Sequence, residues 1–155
     1  MTKFLGSLAL AGFLALALSM STGATSASAQ SARSGDLHVL KNCTTFTGAA
    51  GEYCTITSSN VPEIKVGSKV FYDQAAGTPA GLLDSNVVLD AGGGNRAVGR
   101  CTVDLGTGLG LCTFSDGTGQ LTGFQARVDV TPPTDGVNWH WKGTYSFRPE
   151  VGRRD

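Results

Sequence analysis

The reactive groups in this chain are few: two histidines, four cysteines and a scatter of carboxylates. His140 sits between Trp139 and Trp141, on the polar side of an alternating segment, where a surface or interface role is favoured over catalysis. With His38 it is one of only two imidazoles, and no Gly-x-Ser-x-Gly elbow is present to complete a hydrolase triad. Gly106-Thr107-Gly108-Leu109-Gly110 lacks the lysine and the following helix of a phosphate loop, so it reads as a tight hairpin. Asp116-Gly117-Thr118-Gly119 likewise reads as a turn. Asp73, Asp90, Asp104 and Glu63 lie in or beside expected strands. A carboxyl facing a closed interior would have a raised pKa and act as acid or base. Asp104 shares a strand face with Arg100 and Thr102, which favours an exterior ion pair. Asn42-Cys43-Thr44 fits the glycosylation pattern, but its central cysteine is expected to be bonded, which gives the match little weight.

The cysteines are more informative. Cys43 and Cys54 are separated by 11 positions, and so are Cys101 and Cys112, with glycine near the middle of each interval. An odd separation around a two-residue turn sets both members opposite each other across a hairpin. The spacing therefore predicts Cys43–Cys54 and Cys101–Cys112, with turns at Gly48-Ala49 and Gly106-Thr107. Zinc sites pair cysteines two to four residues apart, a spacing not found here, and no metal is expected.

An even cysteine count belongs with an oxidising compartment, and the first residues point the same way. Lys3 precedes the uncharged apolar run Phe4–Leu18, and small residues follow up to Ala27-Ser28-Ala29. This is the order of a secretory signal peptide, with cleavage expected after Ala29. The run is short for a membrane span, so the mature chain is expected to be secreted, with no membrane attachment after cleavage. Residues 30–35 are expected to form a flexible N-terminal segment, 36–148 one domain and 149–155 a C-terminal tail. Removing residues 1–29 takes away Lys3 and no acid, leaving one acid in excess and no basic stripe. Nucleic acid is thus a poor partner.

The elements that must carry these groups read as strands. Thr, Val and Gly are frequent, and the apolar pattern has period 2. Val137, Trp139, Trp141, Gly143, Tyr145 and Phe147 share one face of the last strand. Phe124, Ala126, Val128 and Val130 alternate in the strand before it, across the Pro132–Gly136 loop. Further strands are expected over 36–44, 52–60, 68–74, 86–90, 97–104 and 109–115. Eight antiparallel strands result, and closing them into a barrel removes the exposed edges. The all-β alternative is a two-sheet sandwich. The aromatics Phe71, Phe124, Trp139, Trp141 and Tyr145 are the strongest ligand signal, since such side chains line apolar pockets. Core packing and a subunit contact are the other uses of such a face.

Three runs carry a family resemblance: Tyr53–Tyr72 (YCTITSSNVPEIKVGSKVFY), Gly99–Phe124 with its GLCTFSDGTGQLTGF, and Trp141–Phe147 (WKGTYSF). Together they resemble bacterial proteins of the allene oxide cyclase barrel-like group, related in fold to plant allene oxide cyclases and dirigent proteins. The resemblance spans about 36–148. It implies an eight-stranded barrel with a cavity, and a homo-oligomer, often a trimer. It also implies an activity without cofactor, in which the cavity steers cyclisation or coupling of a reactive small molecule. The catalytic residues of the plant cyclases find no match here, so fold transfers further than function. The functional expectation is a secreted barrel that holds a small apolar molecule. Its rival is an extracellular structural or interaction protein with a filled barrel.

Overall fold

The computed structural model describes residues 33–148. The expected signal segment 1–29 and the tail 149–155 lie outside them. Eight strands follow one another: β1 (Arg33–Asn42), β2 (Tyr53–Ser59), β3 (Lys69–Tyr72), β4 (Leu82–Asp90), β5 (Arg96–Asp104), β6 (Gly110–Thr118), β7 (Phe124–Thr131) and β8 (Asn138–Phe147). Each pairs antiparallel with the next, and β8 returns to β1, which closes the barrel. The sandwich alternative is thereby set aside.

Alternation decides what fills the barrel. In β1, Leu37, Val39 and Lys41 are buried while Asp36 and His38 are exposed. In β7, Phe124, Ala126, Val128 and Val130 point inward and Arg127 and Asp129 outward. Burying each such aliphatic or aromatic side chain stabilises the fold by about 1.5–3 kcal/mol. One half of the interior is filled largely by aromatic rings. There Phe114, Phe124, Tyr145 and Phe147 pack ring to ring, at centroid distances of 5.3 to 6.4 Å. Val61 and Ile64 from the β2–β3 connection, and Leu121 from the short 3-10 turn before β7, are fully buried and plug that end.

Both cysteine pairs join as the spacing predicts. Cys101 and Cys112 are cross-strand partners in β5 and β6. Cys43 follows the pair Asn42↔Thr55 and so falls opposite Cys54. The turn between them is a longer loop, with Gly48 and Gly51 in the left-handed region.

Several expected boundaries shift. Residues 33–35, expected in a flexible segment, begin β1, because β8 offers partners as far as Arg33↔Phe147. β4 starts at Leu82 rather than at 86 because Asp84 and Ser85, polar in sequence, are paired and bonded within the sheet. Asp116-Gly117-Thr118 is strand and not turn: Ala97 pairs with Gly117 beyond a register shift at Val98/Gly99.

Candidate functional site

The two ends of the barrel differ. Opposite the plugged end, the connections 43–52, 73–81, 105–109 and 132–137 surround a mouth. Beneath it lies a cavity of about 250 Å³, lined by Lys41, Cys43, Phe46, Cys54, Tyr72, Leu83, Val103, Leu105, Val130 and Trp139. Its walls are apolar, the Cys43–Cys54 disulfide included, with Lys41 and Tyr72 as the polar exceptions.

Lys41 continues the inward alternation of β1, whose register with β8 is unbroken, and β2 meets it through a defect in pairing. Between β1 and β2 the register runs Leu40↔Ser58 and then Lys41↔Ile56, so Thr57 is left as an extra residue. Such a bulge re-aims the side chains around it. Here it sets Lys41 opposite Ile56, which is fully buried, rather than opposite exposed Thr57. On its other side Lys41 pairs with Trp139 of β8. The lysine is 4 % exposed, and its Nζ donates a hydrogen bond to Tyr72 Oη of β3. The Nζ also lies 4.8 Å from the centre of the Trp141 ring and 5.0 Å from that of Tyr72. Among the described residues no carboxylate pairs with it; the three ion pairs are Arg33–Glu63, Arg96–Asp90 and Arg100–Asp84.

Burial without a counter-charge disfavours the ammonium. It draws the Lys41 pKa down from its usual 10.5 to about 7. The same burial pushes the Tyr72 phenol well above its ordinary value, so it stays protonated. An amine that is substantially neutral near pH 7 therefore touches a neutral phenol, at the floor of an apolar cavity. Such an amine is a nucleophile or a base, whereas an exposed lysine is neither at this pH.

The expected aromatic residues divide. Trp139 lines the cavity, and Trp141, 1 % exposed, lies beside Lys41 with its indole Nε1 unpartnered among the described residues. Phe124 and Tyr145 belong to the packed half, with Tyr145 reaching a depression edged by Ser34, Gly35 and Gln125. Phe71 does not share this face. Its neighbours Val70 and Tyr72 point inward, so Phe71 points outward, where its ring meets Tyr53 at 5.2 Å.

The remaining candidates lie away from this chamber. His38 and His140 lie outside the barrel, in a shallow trough of about 850 Å³ with Asp36, Ser58, Asp129 and Lys142. Arg100 and Thr102 bond Asp84 rather than Asp104. Asp104 accepts from the backbone of Gly106 and Thr107, and so holds its turn. Asp90 pairs with Arg96, and Asp73 accepts from Ser85. Glu63 pairs with Arg33. No group of three or more metal-ligating side chains exists among the described residues.

No protein-family model, curated protein or solved structure matches the chain.

Lys41 is a candidate that composition and motif alone do not single out. Its signal was present: Leu37 and Val39 fix the inward face of β1, and position 41 continues it. Tyr72 falls in an expected strand, and the pairing of β3 with β2 and β4 decides which face it takes.

Proposed function

We propose that this chain is a secreted β-barrel protein that binds a small apolar molecule in the cavity at the open end of its barrel. The observation that carries the reading is Lys41: a buried amine with one phenolic partner, in an otherwise apolar chamber. Burying a lysine without a counter-charge costs stability, and a filled barrel would not need one. At about 250 Å³ the chamber is smaller than the roughly 300–1,000 Å³ of drug-sized sites. Its occupant is accordingly a single ring or a short alkyl chain. The two disulfides support export through the N-terminal signal segment, and no helix among the described residues is long and apolar enough to cross a membrane. The closed eight-stranded barrel supports kinship with the allene oxide cyclase barrel-like group. Steering of a reactive intermediate without a cofactor is the activity that goes with it.

The test is native mass spectrometry of the protein exported by its own signal and kept oxidised. A retained small molecule is expected, on a chain that begins at Gln30. Trp139→Ala opens the cavity wall and is expected to weaken retention about tenfold or more, whereas Tyr145→Phe, in the packed half, leaves it unchanged. Equal retention by both variants would move the site away from the open end. A bare barrel that takes up no member of a library of small phenols, aldehydes and alkyl compounds would leave the structural role instead.

A further inference from the structure

The described lysines differ sharply in setting. Lys65 and Lys142 are exposed, and Lys69 is half-buried over the Tyr53 ring. Only Lys41 among them is enclosed, with its Nζ at the floor of a chamber reached from the barrel mouth. The chamber holds no second charged side chain. It therefore suits an uncharged ligand, and a neutral amine there can add to an electrophilic carbon.

We infer that Lys41 captures a small apolar aldehyde as an imine, with Tyr72 as the proton carrier; the inference rests on the binding role proposed above and names the ligand class. The Nζ lone pair forms the new bond to the carbonyl carbon, and the C=O π pair moves to oxygen. The oxygen takes up a proton from Tyr72 Oη, and the phenol is restored by a proton from the nitrogen. The C–O bond of the carbinolamine then breaks, the second nitrogen proton leaves with the oxygen as water, and C=N forms. Amine plus aldehyde gives imine plus water, and no oxidant, reductant or cofactor is consumed.

The geometry suits each step. Tyr72 Oη is hydrogen-bonded to the reacting nitrogen, as a proton carrier must be. The apolar walls, Leu83, Val103, Leu105 and Val130, keep bulk water from reversing the condensation. Trp139 and Phe46 offer flat surfaces on which the ring of an aromatic aldehyde can lie.

The experiment uses the oxidised mature protein, benzaldehyde and cyanoborohydride at pH 7, read by intact mass and peptide mapping, alongside quenching of tryptophan fluorescence by benzaldehyde alone. Imine formation followed by reduction adds the mass of benzaldehyde less one oxygen atom. The expected result is labelling at Lys41 about a hundredfold faster than at Lys65, Lys69 or Lys142, since burial in the apolar chamber leaves the Lys41 amine substantially neutral at this pH. Tyr72→Phe, which keeps the ring in place, is expected to slow labelling at Lys41 about tenfold. Lys41→Met is expected to lose the label. Quenching with no label at Lys41 in the unmodified protein would overturn the capture step and leave the binding role standing. Neither quenching nor label would remove both. Labels confined to the exposed lysines would also overturn the inference, and that result does not depend on any variant folding.

Discussion

At the scale of single residues the central feature is a charge-bearing side chain placed where charge is disfavoured. Lys41 is protonated in the unfolded chain up to about pH 10.5, but in the folded barrel only up to about pH 7. Below pH 7 both states carry the proton, and the fold bears the full cost of a buried ammonium. Between pH 7 and 10.5 the unfolded state binds the extra proton, so stability rises with pH. The cost lifted across that window is about 5 kcal/mol, at 1.36 kcal/mol for each tenfold change in proton affinity. Lys41→Met replaces the amine with an apolar chain of similar length. Urea denaturation at pH 6 is expected to show the variant more stable than the wild type by a few kcal/mol, as for other buried charges exchanged for apolar groups. By pH 10 the gap closes or reverses, because Tyr72 Oη has lost its partner at about 1–3 kcal/mol. A wild type that matches the variant at pH 6 would show that Lys41 is solvated in the fold.

Among the strands, close backbone approach sets the tolerances. Gly143 lies on the inward face of β8 and pairs with Val128 of β7. A Cβ there would fall well inside contact distance of the Arg127 carbonyl oxygen. Backbone cannot yield as a side-chain tip does, so Gly143→Ala is expected to cost about 3 kcal/mol, at the upper end of overpacking. Gly136 offers the contrast. Its φ of +77° favours glycine, but nothing lies within 4 Å of an added Cβ. Gly136→Ala is expected to cost about 1 kcal/mol from backbone strain alone. Thermal denaturation of the two variants tests the ordering, and equal losses would mean that β7 and β8 separate freely.

The same element scale shows what the sequence made legible. Strict alternation in β7 and β8 gave those strands within a residue, because every inward position is apolar or glycine. Cysteine spacing gave both disulfides for the same geometric reason. Ser85 broke the rule: it is fully buried, its hydroxyl serving Asp73, the Gln74 amide and the Asn86 carbonyl. A polar inward residue reads as loop, and the start of β4 was lost with it. Lys41 was missed for a related reason. A lysine at the end of an apolar alternation reads as the strand leaving the core, and the unbroken pairing with β8 that carries β1 on to Asn42 is not visible in β1 alone. Phe71 reads with the pocket aromatics because period 2 gives two faces, and only closure says which is inner.

For the molecule as a whole, these local terms sum to a stability profile with an unusual shape. On the acid side the profile is set by carboxylates in strands and turns. Asp104 is held below the usual carboxylate range by the Thr107 backbone and hydroxyl, Asp90 by the Gly92 backbone and Arg96, and Asp84 by Arg100 and Thr102. Asp135 is drawn down to about 2, chiefly by the Asn138 backbone and side chain, and holds the loop that enters β8. Each depressed pKa contributes stability that is present above the unfolded value near pH 4 and lost as pH falls through the folded one. From about pH 5 to 7 these carboxylates and Lys41 have the same protonation in both states, so they give no slope. Above pH 7 the Lys41 cost lifts and stability climbs. Tyr72 then reverses the trend: its folded pKa is raised, so above about pH 10 the unfolded chain loses a proton that the folded one keeps, and stability falls. The expected maximum is therefore near pH 10, well above the pH 5–8 typical of soluble proteins. Urea midpoints measured from pH 3 to 11 on the oxidised protein, with both disulfides intact, test this. A maximum near pH 10 that disappears in Lys41→Met would tie the profile to the chamber; one between pH 5 and 8 in both proteins would mean that the amine at its floor is charged and hydrated in the fold.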